Sequence, residues 1–567
     1  MQEKWGIGNF GQPIDLPIFL FIYLSAMESP SKLRQPHLLI SSEKIDRRTF
    51  LQKSALSLSG VSLLGSLPFS SQAEDLNDYP FTLGVASGEP LPDGIVLWTR
   101  LAPKPLEGGG LKDQEIEVYW EIASDPEFSD IVQHGTELAT KDFAHSVHVE
   151  VAGLSPSSYY YYRFKTGEVV SQTGKTKTAP ALGSDLAELK FAIASCQNYS
   201  AGLYTAYDHM VKEDLDVVFF LGDYIYEKAS GANALRKHLP DKEIRSLEDY
   251  RIRYAQYKSD PSLMAAHAAF PWIVVPDDHE VKNNWGGDGP PYDDNASFLQ
   301  RRSVAFQAYY EHMPLRKTSI PEGIAMRVYR KFSFGNLAEF SMLDTRQFRT
   351  DFACSGNWEE NCAARFDPGR TMLGEVQENW LTENLSQSAC TWNILGQQVR
   401  MAQVGRKMDG TIKYAADSWD GYAATRNRLM SSIKDNQVKN LVVLTGDSHK
   451  NWVNELRLNP DDPQSEVIGT EFMGTSISSA GDGKEFSDIG LELMEINPDI
   501  KFYNEQRGYV VLVAKPDELR ADFKVMPFVT LPDAPIHTIA SFIIANGIAG
   551  LSPSNRDTAT TVAQALV

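Results

Sequence analysis

The sequence predicts an α/β protein preceded by an all-β N-terminal domain. Three observations carry that prediction. Between Tyr79 and Thr178, short runs rich in Val, Ile, Tyr and Trp alternate with Gly, Pro and Asp. Beyond residue 188, apolar runs of strand length alternate with stretches of helical spacing. Four of the later runs end in polar clusters of Cys, Asp, Tyr or His.

The N-terminal runs are "GIVLWTRL", "EIEVYWEIAS", "HSVHVEVAGL" and "YYYYRFKTGEVVS". Branched and aromatic residues suit a pleated, half-buried surface, and the turn residues between them set off short strands. The pattern predicts an all-β sandwich over residues 79–178. "LSPSSYYYYRF" resembles a fibronectin-type corner, in which a tyrosine packs near a turn. "TKTAPALGSDLAE" then reads as a linker.

The α/β pattern follows, over residues 188–530. "LKFAIASC" is an apolar strand, "LYTAYDHMVKED" has helical spacing, and "LDVVFFLGD" is the next strand. Strand, helix and strand this close together make a βαβ unit. Later strands are "PWIVVPDD", "LAEFSMLDTR", "TWNILGQQV", "KNLVVLTGDSH" and "SEVIGTEFMGTS". "GYVVLVAKPDELRADFKVM" reads as a closing hairpin. Residues 531–567 form a tail, in which "HTIASFIIANGIAG" reads as a docking helix or a disordered end.

Residues 1–73 read as an N-terminal extension and an export signal. The pair Arg47-Arg48 precedes a weakly apolar, Ser- and Gly-rich stretch, and "SSQA" offers a small-residue cleavage site after Ala73. A basic region, an apolar run and small residues before the cut make a signal peptide. Twin arginines resemble the twin-arginine route, so the export machinery of that route is an expected partner. "PIFLFIYL" is far below the roughly 17–25 residues of a membrane span, so an integral membrane protein is not expected. Residues 1–45 fit poorly ahead of such a signal, and Met27 is a candidate start.

Without residues 1–73, the chain has 47 basic and 69 acidic side chains, a net charge of −22. So acidic a surface disfavours nonspecific nucleic-acid binding. An anionic substrate would need local positive charge, most simply from metal ions. Of the four cysteines, Cys354 and Cys362 lie in the polar segment "CSGNWEENC", a candidate disulfide in an oxidising compartment. Cys196 ends an apolar strand and suits a ligand or a buried thiol.

The chemistry sits at the strand ends. "ASCQN" supplies Cys196, and "LGDYIYE" supplies Asp223 and Tyr226. "VPDDHE" supplies Asp277, Asp278 and His279, and "LTGDSH" supplies Asp447 and His449. In α/β folds, ligands bind outside the carboxyl ends of strands. An acid buried there without a partner costs several kcal/mol or titrates until neutral. A cation removes that cost, and these residue types are the ones that bind metals. Each cluster alone also fits a helix cap, an acidic turn or a structural thiol. Four together, each after an apolar strand, point to one shared metal site.

The order "GD…Y", "DDHE" and "GDSH" is similar to that of the metallophosphoesterases, whose usual elements are GDxxY, GNH[DE] and GHxH. Asp278 stands at the usual Asn, and Asp447 at the usual first His. Those departures, with "SCQN" ahead of them, resemble the PhoD-type alkaline phosphatases. "DTRQF", "GTSISS", "QRGYV" and the N-terminal "LGVASGEPLPDGIVLWTRL" resemble them too, so that the likeness spans roughly residues 79–530. The resemblance implies a four-layer αββα metallophosphoesterase sandwich and a site with Fe³⁺ and Ca²⁺ that cleaves phosphoesters at alkaline pH. It implies that Cys196, Asp223 and Tyr226 hold iron, that Asp223 bridges to calcium, and that Asp278, Asp447 and His449 complete the cluster. His279, or water, would donate a proton to the leaving group.

The expected function is that of a periplasmic or extracellular alkaline phosphatase on small phosphomonoesters and phosphodiesters, using metal-activated water. Arg346, Tyr224 and Asn283 are candidate substrate contacts, although Arg346 suits a structural salt bridge equally. One alternative is a phosphodiesterase or phospholipase D-like enzyme on lipid or polymer phosphodiesters. Another is a secreted, non-catalytic binding protein, against which the presence of His279 argues.

Overall fold

The computed structural model describes residues 78–289, 295–354, 358–360 and 362–552. The extension with its twin arginines lies outside these residues, as does the end of the tail. Two sheets dominate. The strands of the first, in spatial order, are His537–Ala545, Glu518–Met526, Arg507–Ala514, Leu189–Ala194, Val217–Phe220, Pro271–Val274, Val85–Leu91, Gly94–Arg100 and Ser146–Ala152. The second runs Arg330–Phe334, Ala338–Met342, Trp392–Gly396, Leu441–Thr445, Val467–Met473, Asn451–Arg457 and Ile500–Asn504.

The strand Val217–Phe220 shows why its sequence is apolar throughout. Successive side chains point to opposite faces of a sheet. Val217 and Phe219 enter the core between the two sheets, with Phe191, Phe340, Val442 and Phe472. Phe219 stacks on Phe340 with ring centroids 4.3 Å apart. Val218 and Phe220 enter the opposite core, beneath helices Thr205–Met210, Leu247–Lys258, Pro261–Ala269 and Asn295–His312. With both faces covered, alternation disappears from the sequence. The outer face of the second sheet sends Leu395 and Val443 beneath helices Gly374–Gln387 and Ala423–Asp435. Helix, sheet, sheet and helix therefore make the expected four layers.

The N-terminal β region forms a sandwich that shares a sheet with the rest. Strands Ile131–Ala139, Ile116–Ala123, Tyr159–Thr166 and Val169–Val170, with Gly174–Lys177 beside Tyr159–Thr166, make one sheet. The other is the far end of the nine-stranded sheet. Ser87 and Gly88 pair in parallel with Pro271 and Trp272. Gly88 permits this junction, because a Cβ there would lie 2.5 Å from the Pro314 carbonyl oxygen. The tyrosine corner is present: the Tyr160 hydroxyl accepts from the Ser155 amide at 2.9 Å.

The tail expectation is corrected. "HTIASFIIA" is neither a helix nor a loose end, but an edge strand antiparallel to Glu518–Met526. Phe542 and Ile544 enter the core between the sheets, and that burial outweighs the ambiguous local pattern. Cys354 and Cys362 form a disulfide. No helix among the described residues is long and apolar enough to cross a membrane.

Candidate metal centre

Parallel strands bring their carboxyl ends to one edge. In the first sheet Leu189–Ala194, Val217–Phe220 and Pro271–Val274 run parallel, and in the second so do Trp392–Gly396, Leu441–Thr445 and Val467–Met473. The loops after these strands carry the polar clusters. Cys196, Asp223, Asp447 and His449 all have positive φ, of 59°, 59°, 64° and 57°. Non-glycine residues rarely adopt this conformation, and it concentrates at functional sites. Gly222 lets two loops touch: a Cβ there would lie 2.3 Å from that of Asp277.

Glu280 holds those loops in register. Its carboxylate accepts from the backbone amides of Tyr224 at 2.6 Å, Asp223 at 3.2 Å and Asp277 at 2.9 Å. Burial raises its pKa to about 8. The Cys196 amide donates to the Gly222 carbonyl at 3.0 Å, so the first two loops are also joined.

Two groups of potential ligands result. Cys196, Asp223 and His449 place one donor atom each within 4.8 Å of one another. Asp223, Asp278 and His279 do the same. Asp223 belongs to both, which is the arrangement a bridging carboxylate requires. The Tyr226 hydroxyl donates to Asp223 Oδ2 at 2.8 Å and lies 3.0 Å from His449 Nε2. Ser479 donates to that hydroxyl at 2.7 Å. Asp447 stands outside both groups, with Oδ1 3.6 Å from Arg346 Nη2.

The electrostatics are those of a site short of positive charge. Burial pushes the Asp223 carboxyl well above its ordinary pKa, and Asp278, Asp277 and Glu280 add to the shift. Burial does the same to Asp447 and to the Cys196 thiol. Asp278 Oδ1 and Asp277 Oδ2 are buried without a hydrogen-bond partner. Orphaned acceptors, clustered acids, a thiol, a phenol and an imidazole fit polyvalent cations.

Beside this cluster lies a histidine with its own acid. His279 Nδ1 is 2.5 Å from Glu227 Oε2, and its ring centroid is 4.1 Å from that of Tyr226. Burial alone would lower the His279 pKa, but Glu227, Asp278 and Asp223 together hold it well above the usual value. For His449 burial prevails, and its pKa falls to about 3.

Tyr224 is a correction. Its ring turns away from the cluster, stacks on Tyr254 and places its hydroxyl 2.7 Å from His267 Nε2. It is 1% exposed. Tyr226 turns toward the cluster and Tyr224 toward the helices, so Tyr224 is a core residue rather than a substrate contact. Arg346 is also buried. It pairs with Asp277 through Nε and with Asp417 through Nη1 at 2.8 Å. Its Nη2 faces Asp278 and Asp447 at 3.9 and 3.6 Å, so this arginine serves carboxylates. Asn283 lies at the rim, where its Oδ1 accepts from Lys228 at 3.1 Å. Sequence reasoning missed the roles of Glu227, Glu280, Asp417 and Ser479. Glu227 and Glu280 carried a signal, as the acids that close "GDYIYE" and "DDHE", and Ser479 did as the last residue of "GTSISS".

The fold and the site define a metallophosphoesterase. A family model described as "PhoD-like phosphatase" matches residues 191–523, and one for its N-terminal domain matches residues 68–180. The chain belongs to the PhoD-like phosphatase family and is a phosphoric ester hydrolase. It is 49% identical over 519 residues to "Alkaline phosphatase D" of Bacillus subtilis (strain 168), covering 89% of this chain and 88% of that one. The solved structure titled "Structure of PhoD" matches with a TM-score of 0.82 and 46% identity, covering 87% of this chain and 99% of that chain.

Proposed function

We propose that this enzyme acts as an exported alkaline phosphatase on small phosphomonoesters, and on phosphodiesters, with two kinds of cation sharing Asp223. One observation carries this reading: Asp223 belongs at once to a group with Cys196 and His449 and to a group with Asp278 and His279. Thiolate, imidazole and the neighbouring Tyr226 phenol would suit Fe³⁺, whereas the oxygens of Asp223 and Asp278 would suit Ca²⁺. Bound cations supply Lewis acidity toward the phosphoryl oxygens and acidify water for in-line attack.

The chain's own groups do the rest. Asp223, Asp278 and Cys196 would hold the cations whose positive charge offsets the net −22 of the exported portion toward an anionic substrate. His279 donates a proton to the departing alkoxide, a contribution of roughly 10²–10⁴ for a positioned acid. Arg346 keeps Asp277 and Asp417 in place behind the site. The twin-arginine segment and the Cys354–Cys362 disulfide support export to an oxidising compartment, periplasmic or extracellular.

The test is hydrolysis of p-nitrophenyl phosphate and its bis-ester at alkaline pH, with calcium and then with a chelator. Turnover that falls on chelation and returns with calcium is expected. The ratio of the two rates sets the preference between monoesters and diesters. No turnover of either ester by protein shown to carry metal would overturn the reading.

A further inference from the structure

Helix Leu247–Lys258 carries a tyrosine that touches two of the ligand loops at once. Tyr257 is buried, and its hydroxyl accepts from the Tyr226 amide at 3.2 Å and from the Tyr199 amide at 3.1 Å. Tyr226 is the phenol beside Asp223, and Tyr199 lies three residues beyond Cys196. The hydroxyl hydrogen goes to His238 Nε2 at 2.9 Å. His238 Nδ1 faces the Lys228 carbonyl at 3.0 Å, so Nδ1 is the nitrogen that donates. Burial lowers the His238 pKa to about 4, with Arg253 adding to the shift, so the ring is neutral and Nε2 accepts. Arg253, one turn before Tyr257, takes the other side of the same peptide. Its Nη1 donates to the Tyr226 carbonyl and, at 3.1 Å, to that of Lys228. Residues four apart share a helix face, so the amide and the carbonyl of Tyr226 are both fastened to one face of one helix.

A hydroxyl has one hydrogen and two lone pairs, and at Tyr257 all three are used. We propose that Tyr257 is a positioning residue of the candidate metal centre, holding the Tyr226 loop and the Cys196 loop to one helix and so setting the phenol and the thiol relative to each other. This rests on the reading that both side chains face one cation. Groups one contact behind the ligands fix ligand orientation, and with it metal affinity. Tyr254, on the same helix, supplies the contrast. It is as buried as Tyr257, but its hydroxyl has no hydrogen-bond partner among the described residues. At Tyr254 the ring suffices, whereas at Tyr257 the oxygen is what the loops hold.

Tyr257→Phe keeps the ring and removes the oxygen, and Tyr254→Phe is the paired control. Full-length wild type and both variants are compared in melting temperature, metal per chain, visible absorption, rate of metal loss to a chelator, and kcat on p-nitrophenyl phosphate. Phenolate and thiolate bound to Fe³⁺ give visible charge-transfer bands, whose energy follows the placement of the ligands. Tyr257→Phe is expected to shift the band, to lose metal about 10–100-fold faster and to lose kcat to a similar degree. Tyr254→Phe is expected to match wild type in every one of these.

A Tyr257→Phe protein that melts lower but keeps the band, the metal and kcat would overturn the positioning role and leave only a structural one. Equal losses by Tyr254→Phe would overturn it too, because they would trace to the helix rather than to the oxygen. Wild type that carries metal but shows no charge-transfer band would instead sink the reading of Tyr226 and Cys196 as ligands of one cation, and the positioning role with it. If Tyr257→Phe does not fold, His238→Ala removes the acceptor that orients the hydroxyl. It should shift the band and speed metal loss in the same direction by less, and no change in either would overturn the proposal.

Discussion

Asp420 and Asp223 are both buried carboxylates of the α/β part of the chain, and they are provided for in opposite ways. Around Asp420 stand Arg426, Arg400 and Arg365, at 2.7, 3.2 and 3.6 Å. Burial would raise its pKa, but the arginines together hold it below the ordinary value. Around Asp223 the proportions reverse. Nearby, the guanidinium of Arg346 faces four carboxylates, those of Asp277, Asp278, Asp417 and Asp447, and of these Asp417 also pairs with Arg349 at 2.7 Å. The Asp223 pKa is pushed up and two neighbouring carboxylate oxygens lack partners. The chain neutralises Asp420 with its own cations. It leaves the strand-end acids for cations from outside. A buried acid is therefore a sign of a metal site only after its side-chain partners have been counted.

The most damaging way to test this contrast is Asp223→Asn. It removes the shared ligand, and activity should fall by more than the roughly 100-fold typical of a residue one contact away from the metal. Metal per chain should fall with it; full activity at full metal content would sink the bridging role. At the paired site, Asp420→Asn should leave metal content unchanged but lower stability by about 3–5 kcal/mol, since it removes the carboxylate that three buried arginines share. Denaturant unfolding checks the second effect, and a loss of metal from folded Asp420→Asn would show that the two sites are not independent.

A buried cation extends the same accounting. Lys258 Nζ has no hydrogen-bond partner and lies 4.1 Å from the centre of the Trp98 ring. Burial lowers its pKa to about 7. Between that value and the ordinary one near 10.5, the unfolded chain binds more protons than the folded one. Stability from this residue therefore rises with pH across that window and is lowest below about pH 7. Lys258→Met should raise the melting temperature at pH 6 and much less at pH 10; equal shifts at both would refute the burial argument. The smallest effect is expected from Tyr224→Phe. Losing the bond to His267 should cost about 1–3 kcal/mol. Metal content and kcat should stay near wild type, because the ring faces the helices. A large fall in kcat at normal stability would restore Tyr224 as a substrate contact.

What was legible depended on where the information lay. Cys196, Asp223, Asp278 and His449 stood out because each follows an apolar strand, where an unpaired polar group is costly. The structure brings them together as that cost implies. The direction of a side chain was not legible in the same way. Tyr224 and Tyr226 are two residues apart on one turn, and only the backbone path after Gly222 decides which faces the cluster. Arg346 fitted a phosphate or a salt bridge equally well until Asp277 and Asp417 were seen around it. Glu227 was visible as an acid, but its partner is 52 positions away. The tail strand was hidden because a short apolar run fits a helix or a strand until its neighbour is known.

The sequence alone determined the layered α/β class, the strand-end residues and the family, because burial on both faces of a strand and polar residues at its end leave a local mark. The tertiary structure alone decided that Asp223 joins two groups and that His279 is held by Glu227. It also decided that Arg346 serves carboxylates and that the N-terminal sandwich continues the catalytic sheet. The last is a strand pairing, and the others depend on which loops meet at the carboxyl edges of two packed sheets. That meeting is set by long-range packing, which leaves no periodic mark in the chain.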